Sequence, residues 1–171
     1  MNIFTYQILS LILLPFAFFR LVLRAFKQRQ YFYYWGERFG FYPKYLKNIL
    51  KDKKIIWIHC VSVGETNAAL PLIKILLKQY PNHHILVSHS TPTGRETNLG
   101  EFERIHRCYL PFDIKICMNL FIDFFQPSLG LIFETEIWPM MLYQCKSKGV
   151  PLLLMNARLS NTSLGKYLLF R

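Results

Sequence analysis

The sequence has none of the glycine-rich loops that hold nucleotide phosphates in α/β proteins. Neither GxGxxG nor GxxxxGK[ST] occurs in its 171 residues, which argues against dinucleotide and P-loop nucleotide binding. The four cysteines form no CxxC pair, and the adjacent His83 and His84 lack a second ligand pair at metal-binding spacing. A metal site at the two histidines is therefore not expected, and the cysteines are predicted to be small buried hydrophobic residues.

Acidic residues are scarce, and the scarcity is uneven along the chain. The sequence holds 21 Lys and Arg against 10 Asp and Glu, a formal net charge of +11. Residues 1–54 carry ten of these cations and two acids, a net charge of +8, whereas residues 55–171 carry a net charge of only +3. The basic excess therefore belongs mainly to the N-terminal arm of a chain whose length suits one domain.

The N-terminal arm begins with an uncharged, apolar stretch. Residues 3–19 contain no charged side chain and are followed at once by four cations, Arg20, Arg24, Lys27 and Arg29. An apolar segment of this length can cross or enter a bilayer, and cations beside it favour the cytoplasmic side. A cleavable signal peptide would instead carry cations before the apolar segment and a small-residue cleavage site after it. Residues 1–30 are therefore predicted to be a retained membrane anchor with its basic flank.

Basic and aromatic residues are interleaved in the segment that follows the anchor. The stretch RAFKQRQYFYYWGERFGFYPK, residues 24–44, suits an anionic membrane surface, where cations meet headgroups and Tyr and Trp lie at the interface. The same composition can bind nucleic acid. A nucleic-acid partner is the weaker interpretation, because the neighbouring apolar segment already explains the charge. Residues 31–54 are assigned to a basic, aromatic, membrane-proximal segment.

From residue 55 onward, short apolar runs alternate with amphipathic stretches. The apolar runs predict five strands, at residues 55–59, 84–90, 104–111, 129–134 and 150–157. The amphipathic stretches predict a short helix or loop at 93–102 and three helices, at 66–80, at 113–125 with Asp113 as its N-cap, and at 138–148. This alternation predicts an α/β fold over residues 55–171, a doubly wound, Rossmann-like parallel sheet with helices on both faces.

The predicted fold gathers a set of residues at one edge of the sheet. In an open parallel sheet, ligands bind beyond the carboxyl ends of the strands. The residues assigned to this edge, after the first, second, fourth and fifth strands, are Ser62, Gly64, Glu65, Ser90, Thr91, Thr93, Arg95, Glu134, Glu136, Asn156 and Arg158. Each suits another role by itself, such as a helix cap for Ser90 or Thr91 and a solvated cation for Arg158. Their grouping favours a binding or catalytic site.

Two chemistries stay open for the acidic residues of this edge. Carboxylates at positions i and i+2 of an extended strand end, such as Glu134 and Glu136, project to the same side and can hold a divalent metal that bridges phosphates. A structural role for one of them beside Trp138 is the competing interpretation. Glu65 is either a first-turn carboxylate favoured by the helix dipole or a general base.

Six segments of the chain carry a resemblance to a known family. They are WGERFGFYP (35–43), IHCVSVGETNAALPLI (58–73), STPTGRE (90–96), YLPFD (109–113), FETEIWPMML (133–142) and NARLSNTSLGKY (156–167). In this order, and with the apolar anchor before them, they resemble the N-terminal half of the Kdo transferases. That family moves 3-deoxy-D-manno-octulosonic acid (Kdo) from CMP-Kdo to the lipid A precursor, lipid IVA, in lipopolysaccharide biosynthesis.

The resemblance implies an inverting glycosyltransferase of GT-B architecture, bound to the cytoplasmic face of the inner membrane of a Gram-negative bacterium. It implies that Glu65, the glutamate of SVGE, is the catalytic base that takes the proton from the acceptor hydroxyl. No metal or other cofactor is expected, so Glu134 and Glu136 would shape the acceptor pocket. Arg95 and Arg158 would meet the acceptor phosphates. The family commonly has Ser where this chain has Arg95, so that role rests on charge alone.

The resemblance covers only one half of a GT-B enzyme. In this family the C-terminal domain binds CMP-Kdo, and the chain ends at Arg171, inside the helix expected after NARLS. Residues 1–171 alone are therefore expected to be inactive as a transferase, with a donor-binding half missing. The alternative is a non-catalytic membrane-surface module that binds phosphorylated lipid with the same pocket.

Overall fold

A computed structural model of the chain describes residues 2–100, 102–134 and 136–157. A long N-terminal helix, two 3₁₀ turns (Arg29–Phe32 and Trp35–Phe39) and a short helix precede a regular alternation of strands and helices. The helices are α1 (Ile3–Lys27), α2 (Lys44–Leu50), α3 (Val63–Gln79), α4 (Pro92–Glu96), α5 (Lys115–Phe125) and α6 (Pro139–Ser147). The strands are β1 (Lys54–His59), β2 (His83–His89), β3 (Ile105–Tyr109), β4 (Leu129–Phe133) and β5 (Leu152–Met155).

The five strands form one parallel sheet in the order β3-β2-β1-β4-β5. The predicted α/β fold with a Rossmann-like parallel sheet is thus confirmed. The chain builds outward from β1 through β2 to β3, then crosses to β4 and continues to β5. This reversal creates a topological switch point between β1 and β4, where the loops after the two strands leave toward opposite faces. Ligands of such sheets bind at the carboxyl side of this point.

Helices cover both faces of the sheet because successive strand residues point in opposite directions. On β1, Ile55 and Trp57 pack with α5 and α6, whereas Ile56 and Ile58 pack with α3. The five β1 side chains from Ile55 to His59 are all buried, as expected for a parallel sheet covered on both faces. The four cysteines are buried free thiols, as predicted.

Residues 31–54 also contribute to the domain. Their buried side chains include Tyr31, Glu37, Arg38, Tyr42 and Leu50, and Tyr42 packs edge-on against Phe125 with ring centroids 4.6 Å apart. The 3₁₀ turn Trp35–Phe39 lies at the carboxyl edge of the sheet, since the backbone N–H of Tyr109, the last residue of β3, donates to Glu37 Oε2 at 2.7 Å.

Helix α1 is long and apolar enough to be a membrane anchor, and it lies against the domain along one side. The Tyr6 hydroxyl donates to Asp113 Oδ2 at 2.7 Å, and Gln7 Oε1 accepts from the Lys115 backbone N–H at 2.9 Å. Further along the helix, Ala25 is fully buried. The opposite side exposes large apolar residues, among them Phe4, Ile12 and Phe16.

The prediction that Asp113 caps its own helix is wrong. Helix α5 begins at Lys115, and its N-cap is Ile114, which has no capping side chain. Asp113 instead accepts hydrogen bonds from the backbone N–H groups of Met140 (2.9 Å) and Met141 (2.7 Å). These amides open α6 and have no acceptor within that helix, so Asp113 satisfies them across the fold. Burial raises the pKa of Asp113 above its ordinary value.

Candidate active site

The carboxyl edge of the sheet collects the predicted residues that follow β1, β2 and β4 around the switch point. Helix α3 begins at Val63, three residues earlier than predicted, because Ser62 is its N-cap. Gly64 and Glu65 therefore lie in the first turn of a 17-residue helix. Gly64 is exposed, and a Cβ there would meet only Ser62 Oγ, at 3.8 Å, so packing does not demand a glycine at this position.

Glu65 is a buried carboxylate held by its own helix start. Its side chain folds back so that Oε2 accepts from the Val61 backbone N–H at 2.7 Å and Oε1 accepts from the Ser62 hydroxyl at 2.9 Å. Ser62 Oγ in turn accepts from the Glu65 backbone N–H at 3.4 Å. The arrangement resembles a capping box, except that the carboxylate accepts from the N–H of Val61, one residue before the N-cap. The residue is only 6% exposed. Each carboxylate oxygen keeps a second lone pair for another donor.

The loop after β2 lies directly against the loop that carries Glu65. Thr91 is the N-cap of α4: its Oγ1 accepts from the Gly94 N–H at 3.2 Å and donates to the Val61 carbonyl at 3.0 Å. A Cβ at Gly94 would lie 2.9 Å from that same carbonyl oxygen, which only glycine avoids. Thr93 is exposed beside them. Sequence reasoning missed the importance of Gly94, although the STPTGRE segment contained it.

Arg95 is engaged with a partner that the sequence did not suggest. Its guanidinium donates to both carboxylate oxygens of Glu37, with Nη2 to Oε1 at 3.1 Å. It also lies over the rings of Tyr34 and Tyr109, at 3.9 and 4.8 Å from their centroids. The side chains of Arg95 and Glu37 are 14% and 4% exposed, so the pair is largely removed from water. The predicted contact of Arg95 with phosphate stays a prediction.

Arg38 is a second cation at this edge, and sequence reasoning missed it. Its Nη2 donates to the Ser90 carbonyl at 3.3 Å, and its guanidinium lies 4.1 Å above the Tyr109 ring. Burial lowers the pKa of Arg38, and its Nε is buried without a hydrogen-bond partner among the described residues. Only the WGERFG segment of the sequence pointed to this residue.

A crevice of about 210 Å³ opens beside Arg38. It is lined by Arg38, Val61, Ser90, Leu110, Pro111, Phe112, Asp113 and Trp138. Val61, whose N–H holds Glu65, forms part of its wall, so the crevice adjoins the candidate base. The lining combines a cation and a carboxylate with a majority of aromatic and apolar side chains, which suits an amphiphilic ligand.

The acidic residues after β4 face the same region from across the switch point. Glu136 Oε2 accepts from the Trp138 indole N–H at 3.1 Å. Burial, and then the negative charge of Glu65, raises the pKa of Glu136 above its ordinary value. Glu134 has a left-handed backbone with φ of 59°, so the expectation of an extended Glu134–Glu136 pair is wrong. The turn is fixed by the Glu134 N–H, which donates to the Met155 carbonyl at 2.9 Å.

The remaining predicted residues follow β5. Asn156 is exposed and has a left-handed backbone with φ of 50°. Arg158 lies outside the described residues. Across residues 2–100, 102–134 and 136–157, no three His, Cys, Asp or Glu side chains come together as metal ligands. The expectation of transfer without a metal stays a prediction.

Comparison with known proteins identifies the family of the chain. Residues 33–171 match the family model described as 3-deoxy-D-manno-octulosonic-acid transferase (kdotransferase). The chain belongs to the Kdo transferase family. The match includes both segments that sequence reasoning undervalued, WGERFG and STPTG, as well as the Glu65 turn.

Individual relatives agree with the family match. The chain is similar to the 3-deoxy-D-manno-octulosonic acid transferases of Haemophilus influenzae, at 36% identity over 96% of this chain, and of Bordetella pertussis, at 36% over 64%. It is also similar to a bifunctional glycosyltransferase/methyltransferase of Fusobacterium nucleatum, at 33% identity over 69% of this chain. The matched regions cover 38%, 26% and 19% of these relatives, so the chain spans well under half of their length.

Proposed function

We propose that the chain is the acceptor-binding half of an inverting Kdo transferase that moves Kdo from CMP-Kdo to the lipid A precursor, lipid IVA. In this proposal the acceptor binds at the carboxyl edge of this sheet, and the donor binds to a second, C-terminal domain of GT-B type. Residues 1–171 by themselves are then inactive in transfer. Kdo transferase relatives support the sugar-transfer chemistry.

The observation that carries the proposal is the position of Glu65. It is a buried carboxylate, aligned by two hydrogen bonds, next to a crevice and at the switch point of the sheet. Its two donors, an amide N–H and a hydroxyl, are neutral, so its negative charge is oriented without being cancelled by them. Such a group is suited to general-base catalysis.

In the proposed reaction, Glu65 accepts the proton of the acceptor hydroxyl as the hydroxyl oxygen bonds to the anomeric carbon of Kdo. The bond from that carbon to the CMP phosphate oxygen breaks, and CMP leaves with the electron pair. Glu136, whose pKa is raised by burial and then by the charge of Glu65, is the group proposed to orient an acceptor sugar hydroxyl. No metal is assigned a role.

The other residues of the edge are proposed contacts of the acceptor. Arg38 is added as the cation that borders the crevice, and Arg158 keeps its proposed contact with phosphate. Arg95 keeps a proposed phosphate contact only through the N–H groups that its pairing with Glu37 leaves free. Packing does not require a glycine at position 64, so we assign Gly64 to the acceptor: its missing side chain leaves the first turn of α3 open. Smaller contacts are assigned to Ser62, Ser90, Thr91, Thr93, Glu134 and Asn156.

Helix α1 is proposed to hold the protein at the cytoplasmic face of the inner membrane. Its exposed apolar side would enter the lipid, and the cations Arg20, Arg24 and Lys27 would meet anionic headgroups. This arrangement brings the carboxyl edge of the sheet to the membrane, because α1 contacts that edge through Tyr6 and Asp113. A lipid acceptor would then reach the site without leaving the bilayer.

The test is Glu65→Gln, assayed for Kdo transfer with a donor-binding half supplied, either that of the same protein or that of the Haemophilus influenzae relative. Loss of a general base is expected to lower kcat by about 10²- to 10⁴-fold with little change in acceptor affinity. Glutamine keeps one oxygen acceptor for the cap, and a melting curve of the same variant reports any loss of fold. Unchanged kcat in a folded variant would refute the proposed role.

The non-catalytic alternative is kept because both oxygens of Glu65 already serve the helix cap. A lipid-binding module would bind the phosphorylated acceptor but would show no transfer with any donor half. Wild-type turnover in the assay above decides between the two functions.

A further inference from the structure

Helix α1 lies alongside the candidate site over much of its length. Near its N-terminus, the Tyr6 hydroxyl bonds to Asp113, which lines the crevice. Twelve residues later, Phe18 packs against Trp35 and Phe39, with ring centroids 5.0 and 6.1 Å apart. At 1.5 Å per residue these contacts are about 18 Å apart along the helix axis. The helix therefore follows the carboxyl edge of the sheet and does not project away from the domain.

An apolar groove of about 230 Å³ separates α1 from this edge. Leu9, Leu13 and Ala17 line its helix side, and Phe112, Ile114 and Trp138 line its sheet side. The groove adjoins the crevice, because Phe112, Asp113 and Trp138 line both.

The two cavities together have the polarity of an acylated ligand. The crevice is lined by the Arg38 guanidinium and by the Asp113 carboxylate, which already accepts hydrogen bonds from Tyr6 and the start of α6. It adjoins the Glu65 loop through Val61. The groove offers mainly hydrocarbon and aromatic surface, beside a helix whose outer side is apolar. Its polar lining is Ser10 and the hydrogen-bonded pair of Tyr6 and Asp113. A lipid with its sugar in the crevice would have its chains directed along α1.

We propose that this groove binds an acyl chain of the lipid acceptor, so that α1 is a wall of the acceptor site as well as an anchor. The inference rests on the proposed function. We assign the groove to the acceptor and not to a bulk phospholipid because the groove adjoins the crevice. Only a lipid whose headgroup fits the crevice gains polar contacts there as well as apolar contacts in the groove.

The test fills the groove. Ala17→Trp places an indole between α1 and the sheet edge, and Ile12→Trp places the same indole on the exposed outer side of α1 as a matched control. Both variants are reconstituted in phospholipid nanodiscs. Affinity is measured for the acylated acceptor and for the same phosphorylated disaccharide without its chains.

Ala17→Trp is expected to weaken binding of the acylated acceptor about tenfold or more, the loss expected when about two methylenes of the chain are displaced from the groove. It should leave binding of the chain-free disaccharide unchanged, and Ile12→Trp should change neither. Equal affinity of Ala17→Trp and wild type for the acylated acceptor would overturn the inference while leaving the proposed function intact. If wild type binds neither acceptor form, the proposed function itself fails.

A second measurement does not depend on a variant. An acceptor with a photoreactive acyl chain should crosslink to residues 9–17 and 112–114 of wild-type protein. Excess unlabelled acceptor should abolish the crosslink, and excess phosphatidylethanolamine should not. Crosslinks displaced equally by both lipids would assign the groove to bulk phospholipid and overturn the inference.

Discussion

Two buried carboxylates lie at the same edge of the sheet, in opposite electrostatic settings. Glu37, in the 3₁₀ turn beside the end of β3, is 3% exposed and is paired with the Arg95 guanidinium. Glu65, at the end of β1, is 6% exposed, and its hydrogen bonds come from an amide and a hydroxyl, with no salt bridge among the described residues. The first charge is cancelled locally, and the second has no cationic partner among the described residues. Burial alone therefore does not distinguish the two carboxylates, whereas the charge of their partners does.

The comparison is most sharply tested by removing the charge of Glu37. Glu37→Gln leaves Arg95 largely buried without its counter-charge, so we expect a loss of about 3 kcal/mol in the free energy of unfolding. The value lies at the low end for a buried pair because Arg95 still contacts the Tyr34 and Tyr109 rings. Thermal melts of the purified chain in detergent would measure it.

The matched control is the exposed salt bridge between Lys148 and Asp123. Asp123 is 62% exposed in its side chain, and Asp123→Asn should cost at most about 1 kcal/mol. Equal melting temperatures for Glu37→Gln and Asp123→Asn would show that the Glu37 pair is not structural, and the contrast with Glu65 would collapse.

Gly94→Ala tests the contact between the β2 and β1 loops on the Glu65 side of the comparison. The added Cβ would lie 2.9 Å from the Val61 carbonyl oxygen, so α4 must shift away from the loop that holds Glu65. We expect a loss of about 1–3 kcal/mol, as for overpacking in a core, together with reduced Kdo transfer in the assembled enzyme. The control is Gly64→Ala, which has space for the added Cβ and should leave the melting temperature nearly unchanged. Gly149→Ala is unsuitable as a control because Gly149 has a positive φ.

Ser62→Ala tests whether the N-cap of α3 also positions the Glu65 carboxylate. The change removes the N-cap of α3 and the hydroxyl that orients Glu65 Oε1, at an expected cost of about 1 kcal/mol. Ser62→Thr, which keeps the hydroxyl, should recover most of this stability and most of the transfer activity. If Ser62→Ala loses stability but keeps full kcat, the cap has no part in positioning Glu65.

Local patterns predicted the sheet, the two helical layers and the residues that gather at its carboxyl edge, because strand and helix periodicity depend on near neighbours. They did not predict the partners that organise the site. Glu37 and Arg95 are 58 residues apart, Asp113 and Met140 are 27 apart, and Tyr6 and Asp113 are 107 apart. Such pairs are chosen by the packing of distant elements, and no spacing in the sequence encodes them. Asp113 is an example: its position in the sequence suggested an N-cap for α5, but it caps α6.

The smallest expected effect concerns Glu136, which faces Glu65 across the switch point. Its folded-state pKa is raised by burial and by the charge of Glu65, so the folded protein binds this proton more tightly than the unfolded chain does. Stability from this group is therefore present at low pH and is lost as pH rises through the raised pKa. Glu136→Gln should raise the melting temperature at pH 7 by about 1–2 °C, a small change because the group is partly screened by solvent, and should have no effect at pH 4. Glutamine at the exposed position Glu103 should shift neither value. Glu136→Gln is also made in the Glu65→Gln background. If the increase in melting temperature at pH 7 is just as large there, burial alone raises the pKa of Glu136, and the charge of Glu65 does not affect it.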